Sequence, residues 1–137
     1  MTLPGFSLRQ ILGMGALCGL TLLCCATPAT ALAWTRIGET PEVTLYVNRN
    51  TVEKEENIRR VWEMQDLKAA DNEGVKSRRY LNEYDCNYKM HRIGQMTSFS
   101  GPKLTGQKIA TVNEMGYWRK IPPNGVFVLT YIAVCIE

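Results

Sequence analysis

Residues 78–92 read Arg78-Arg79-Tyr80-Leu81-Asn82-Glu83-Tyr84-Asp85-Cys86-Asn87-Tyr88-Lys89-Met90-His91-Arg92. Tyrosines interleaved with charged and amide side chains over this length fit a sheet strand. Strand alternation puts Arg78, Tyr80, Asn82 and Tyr84 on one face, with Arg79 and Leu81 on the other. The strand is expected from Val75 to about Cys86, and residues from Asn87 to Phe99 continue it or pair back beyond a bend. Everything upstream and downstream reads as strands built around this pair.

Before it, Trp34-Thr35-Arg36-Ile37-Gly38 is a short strand closed by Gly38 and the turn-forming Thr40-Pro41-Glu42. Val43-Thr44-Leu45-Tyr46-Val47 alternates cleanly as a half-buried strand, and Asn48-Arg49-Asn50 is a turn. Thr51 to Asn57 is a charged hairpin connection. Ile58 to Leu67 is the next strand, with Ile58, Trp62 and Met64 sharing a face that Arg60 interrupts; its Arg, Met, Gln and Glu make helix the rival reading. Lys68 to Gly74 is a polar turn. Beyond Ser98-Phe99-Ser100-Gly101-Pro102, a further short strand covers Gln107 to Val112. Met115 to Ile121 is an aromatic connection ending at Pro122-Pro123-Asn124-Gly125. The last segment, Val126 to Ile136, is apolar on every face. Its β-branched content favours a buried strand, its length also allows a short helix, and periodicity cannot choose between them.

The chain begins with the three parts of a secretory signal peptide: Arg9, the uncharged apolar run Ile11 to Cys25, and the small-x-small pattern Ala31-Leu32-Ala33. The run is shorter than the roughly 20 apolar residues of a spanning helix. Two regions are therefore expected, a signal peptide over 1–33 and one exported domain over 34–137. Three of the five cysteines, Cys18, Cys24 and Cys25, fall in the peptide. The remaining pair, Cys86 and Cys135, is read as a disulfide, because an even pair in an exported chain is oxidised. Closing a loop of about 50 residues stabilises a small domain by about 4 kcal/mol in the chain-entropy description. A formal charge of +3 is too small to argue for nucleic acid.

In order along the chain stand Trp34, Tyr46-Val47-Asn48, Val61-Trp62, Lys76-Ser77, Glu83-Tyr84-Asp85-Cys86, and Trp118 through Ile121-Pro122-Pro123 to Cys135. This order resembles the surface-adhesin protein E family of Gram-negative bacteria over essentially the whole of 34–137. The resemblance implies an α+β fold: an antiparallel sheet of about five or six strands, a C-terminal helix over Val126–Ile136 on one face, and Cys86–Cys135 tying it down. It overrules the strand preference of that segment. A capping serine is absent where Gly125 stands, so Asn124 or Gly125 is expected to serve as a weaker cap. By resemblance, the function is noncatalytic protein binding at the cell envelope, in the periplasm or at the outer surface, with host proteins such as vitronectin and laminin as implied partners. The alternative is a small periplasmic accessory protein that binds an envelope partner or haem.

Two sets of candidate residues follow. Arg78, Arg79, Tyr80, Tyr84, Lys89 and Arg92 form a candidate binding stripe for an acidic partner, since arginine interleaved with tyrosine is an interface composition. His91, the one histidine, is the candidate axial ligand if haem binds, with Met90 and Tyr88 as rivals. A structural metal site is excluded by ligand count. No nucleophile elbow, phosphate loop or anchored triad is present, so the chain is read as a non-enzyme. An exposed sheet edge would permit a homodimer.

Overall fold

The computed structural model describes residues 33–136. All but the last residue of the expected signal peptide, with Cys18, Cys24 and Cys25, lies outside them. Eight strands and one helix follow in chain order: β1 Trp34–Glu39, β2 Val43–Asn48, β3 Glu53–Glu55, β4 Ile58–Leu67, β5 Ser77–Asp85, β6 Met90–Phe99, β7 Lys108–Val112, β8 Arg119–Lys120 and α1 Phe127–Cys135. Every pairing is antiparallel. The main path runs β1-β2-β4-β5-β6-β7, and the two short strands β3 and β8 pair with β4 and β6. The six long strands match the expected sheet. The extra two lie in segments read from sequence as connections, where two or three paired residues carry no alternation to read.

Local chemistry sets the turns. Thr40 Oγ1 accepts from the backbone N–H of Glu42 and of Val43, both at 3.2 Å, which closes β1 onto β2. Asp71 Oδ1 accepts from Glu73 and Val75, and Gly74 supplies the left-handed φ of 80° that the β4–β5 turn requires. Asp85 Oδ1 accepts from Asn87 and Tyr88, each at 3.0 Å, and turns β5 into β6. Residues 78–92 are thus the central hairpin of the sheet.

The helix lies on one face. Val47, Val61, Tyr84 and Tyr131 form the core between sheet and helix, with Ile37, Val52, Ile121, Phe127 and Val134 around them. On β4 the covered face carries Val61, Glu63 and Leu67; Trp62 and Met64, which share the apolar face legible in the sequence, point to the opposite side. A glutamate at a core position is what hides the covered face from an apolar pattern. Leu129 seats on β1 where Gly38 leaves room: a Cβ there would stand 2.5 Å from Leu129 Cδ1. The Cys86–Cys135 bridge, with Cα atoms 5.5 Å apart, pins the far end, beside the hydrogen bond that Tyr131 OH donates to Cys86 O at 3.1 Å.

Val126–Ile136 is therefore helical despite its β-branched residues, because an apolar sheet face needs a cover and the bridge holds it in place. The N-cap is Val126, which supplies no side-chain hydrogen bond, and Gly125 instead closes a turn onto Pro122 O. Neither Asn124 nor Gly125 caps the helix. Packing and the covalent tether replace the cap.

Candidate functional site

Strand register brings together groups that are far apart in sequence. On the face away from α1, Arg60 on β4 pairs with Glu83 on β5, which pairs with Arg92 on β6. Glu83 is buried and accepts from Arg60 Nε at 2.7 Å and from Arg92 Nε at 2.6 Å. Burial pushes its carboxyl up, but the two guanidiniums outweigh that and hold it below the usual carboxylate range. Arg60 also reaches Glu53 at 3.0 Å. Arg92 lies over the Trp118 ring at 4.6 Å from its centroid, and Arg79 over Trp62 at 5.8 Å. Arg79 makes no ion pair among the described residues. The result is a half-exposed surface of three arginines and two tryptophans, braced from below by one ionised carboxylate.

This is not the stripe expected from sequence. Arg79 and Arg92 belong to it. Arg78 is on the helix side of β5 and pairs with Asp71 at 3.3 Å, and Lys89 sits in the β5–β6 turn with a φ of 54°. Tyr80 and Tyr84 have 0 % exposure beneath the helix, so they offer nothing to a partner. Conversely, Arg60, Trp62, Glu83 and Trp118 are not in the expected set. Only the cross-strand register of β4, β5 and β6 aligns them, and the sequence carries no signal for that register except the adjacent opposite charges.

Beneath α1 lies a second polar group of a different kind. Glu63, at 0 % exposure, accepts from Tyr84 OH and, at 3.1 Å, from Asn82 Nδ2. Asn82 Nδ2 also reaches Tyr84 OH at 2.8 Å, and its Oδ1 faces His91 Nδ1 at 3.2 Å. No cation reaches Glu63 among the described residues. Burial pushes its carboxyl above the usual range, and Thr130, Tyr84, Asn82 and Tyr80 offset that only in part. The Tyr80 and Tyr84 hydroxyls are held well above the ordinary phenol range, chiefly by burial and then by the Glu63 charge. Tyr80 OH and Thr130 Oγ1 point into this group without completing a hydrogen bond of normal geometry.

His91 is 5 % exposed, its ring centroid 4.3 Å from that of Phe127 at a tilt of 33°, and it is pushed toward the neutral form first by burial and then by Arg119. It lines a groove of about 590 Å³ at the β6 edge. A haem iron would have to come within about 2 Å of a ring nitrogen, the usual metal–imidazole distance. A macrocycle many ångströms wide cannot do so at a ring this recessed, with Phe127 across it. The residues around His91 do not fit axial haem ligation. Tyr88 is exposed in the turn and Met90 faces the other side of β6, so neither rival joins it.

Among the described residues, no helix is long and apolar enough to cross a membrane. No curated protein matches the chain in sequence. Solved structures that share its fold include three of Haemophilus influenzae protein E. Crystal form II of Haemophilus influenzae protein E is 10 % identical with a TM-score of 0.56, covering 75 % of this chain and 87 % of that one. The selenomethionine form of the same protein is 8 % identical with a TM-score of 0.56, covering 76 % and 86 %. Protein E from non-typeable Haemophilus influenzae is 11 % identical with a TM-score of 0.53, covering 75 % of each. The sequence profile described as surface-adhesin protein E matches residues 34–136, and the chain belongs to that family.

Proposed function

We propose that the chain is an exported, noncatalytic binding protein of the cell envelope that engages an acidic protein partner through the sheet face opposite α1. The observation that carries this reading is the pairing of Arg92 with Trp118 and of Arg79 with Trp62 on an uncovered face. Trp and Arg are the side chains that most often supply binding energy at interfaces. Here they are pre-positioned, because Glu83 fixes Arg60 and Arg92 from below and so lowers the ordering cost of binding. Arg79 keeps an uncompensated charge for the partner. Membership in the adhesin family supports a binding role, and host matrix or serum proteins are the partner class to try first.

The test is binding of the disulfide-bonded protein to immobilised vitronectin and laminin at low and physiological salt. Expected is saturable binding that weakens with salt and falls at least about tenfold in Arg79→Glu and in Trp118→Ala, the loss typical of a central contact. Both changes leave the Glu83 ion pairs intact. Binding indifferent to both substitutions refutes the assignment of this face. Absence of binding to either host protein moves the partner inside the envelope, as a periplasmic accessory role would have it.

A further inference from the structure

The edge of the sheet is broken where the groove lies. β7 pairs with β6 from Met96 to Phe99, and β8 pairs with Met90 and His91. Between them the chain bows away, and the Gly116 N–H to Ile93 O bond, at 2.8 Å, holds it to β6. The gap forms a groove of about 590 Å³ whose walls include Ile93, Met115 and Phe127, with Arg119 and Lys120 at its rim. That volume is within the range of small-molecule sites. At roughly 30 Å³ per non-hydrogen atom it takes a ligand of about 20 such atoms.

The buried polar group behind the groove fixes what the groove can recognise. Asn82 spends both amide hydrogens on Glu63 and Tyr84, so its Oδ1 faces His91 and can only accept. His91 Nδ1 therefore carries the proton, and the neutral ring keeps a lone pair on Nε2. Nε2 has no partner among the described residues, and the ring lines the groove. Arg119 and Lys120 are exposed and form no ion pair among the described residues; Glu114 is the one carboxylate of the lining. Apolar walls, one recessed acceptor and two free cations define a complement.

We infer that this groove binds a small amphipathic acid: an apolar chain along Phe127, Ile93 and Met115, an N–H or O–H donor to His91 Nε2, and a carboxylate toward Arg119 and Lys120. A narrow chain reaches the recessed nitrogen where a flat macrocycle cannot. The site borders the arginine–tryptophan face at Arg92, Gly94 and Met115, but it is read through His91 and the two cations, and neither reading depends on the other.

N-dodecanoylglycine is a suitable probe, because it joins an apolar chain, one amide N–H and one carboxylate. Its N-methyl analogue, N-dodecanoylsarcosine, keeps all but the N–H. Both are titrated below their micelle thresholds into the isotope-labelled, disulfide-bonded protein and followed by amide chemical shifts. Expected is saturable binding of the glycine compound with a Kd on the order of tens of micromolar. Its shifts should be confined to residues 91–96, 112–121 and 127, and the sarcosine compound should bind about tenfold more weakly for want of one hydrogen bond. His91→Phe should abolish that discrimination. Arg119→Gln with Lys120→Gln, both exposed and in no ion pair among the described residues, should weaken both compounds about equally and keep the discrimination. Equal affinities in the unmodified protein, shifts centred elsewhere, or no saturable binding would overturn the inference, as would indifference to the loss of both cations.

Discussion

Replacing Glu63 by glutamine should stabilise this protein at neutral pH, by an amount that grows with pH. The carboxyl is fully buried under α1, with Tyr84 and Asn82 donating to it and no cation in reach among the described residues. Burial raises its pKa above the usual value of 4.5. The folded state therefore keeps a proton that the unfolded state has lost, over the window from about pH 4.5 up to the folded pKa. In that window the native state binds more protons, so stability falls as pH rises, with a limiting slope of about 1.4 kcal/mol per pH unit. The glutamine side chain of the Glu63→Gln variant cannot ionise and still offers an amide to the same neighbours. Below about pH 4.5 the two proteins should differ by no more than about 1 kcal/mol, the scale of one hydrogen bond. Above it the gap should open in favour of the variant at up to that slope. Glu83 and Asp85, whose pKa values are lowered, act in the opposite sense: their contribution is present above their unfolded pKa and lost as pH falls through the folded one. They are common to both proteins and cancel in the difference. Urea unfolding of both from about pH 4 to pH 8 reads the gap directly. A gap that is constant with pH, or that widens toward acid, refutes the reasoning, because it means that Glu63 is ionised in the fold.

Two further perturbations probe how α1 is held. Cys86→Ser with Cys135→Ser opens a bridge that spans a sequence separation of 49 residues and should cost about 4 kcal/mol. Because a nine-residue helix is too short to persist alone, its amides should lose hydrogen-exchange protection well before those of β4 and β5; helix amides as slow as in the bridged protein would count against the tether. Gly38→Ala puts a methyl 2.5 Å from Leu129 Cδ1 and should cost about 1–3 kcal/mol from overpacking. Leu129→Ala added to it should lose less than it does in the parent, and strict additivity of the two would show that the contact is absent.

The sequence by itself determined the elements whose causes are local. Thr40, Asp71, Gly74 and Asp85 write their turns in side-chain hydrogen bonds and backbone freedom within a few residues. Val43 to Val47 alternates because one face is covered and the other is not, and Cys86 and Cys135, the two cysteines outside the expected signal peptide, had one partner each. Tertiary structure decided the rest, for reasons that no local window contains. Val126–Ile136 is apolar on all sides, so only the sheet face beneath it and the Cys86–Cys135 bridge make it a helix. Tyr80 and Tyr84 read as interface residues, but strand alternation with α1 above places them in the core. Glu63 and Glu83 are the same residue type on neighbouring strands. One faces the helix and is held toward its neutral form; the other faces two arginines and is held ionised. The free energy of a buried charge depends on what the register sets opposite it, and register is a property of the assembled sheet.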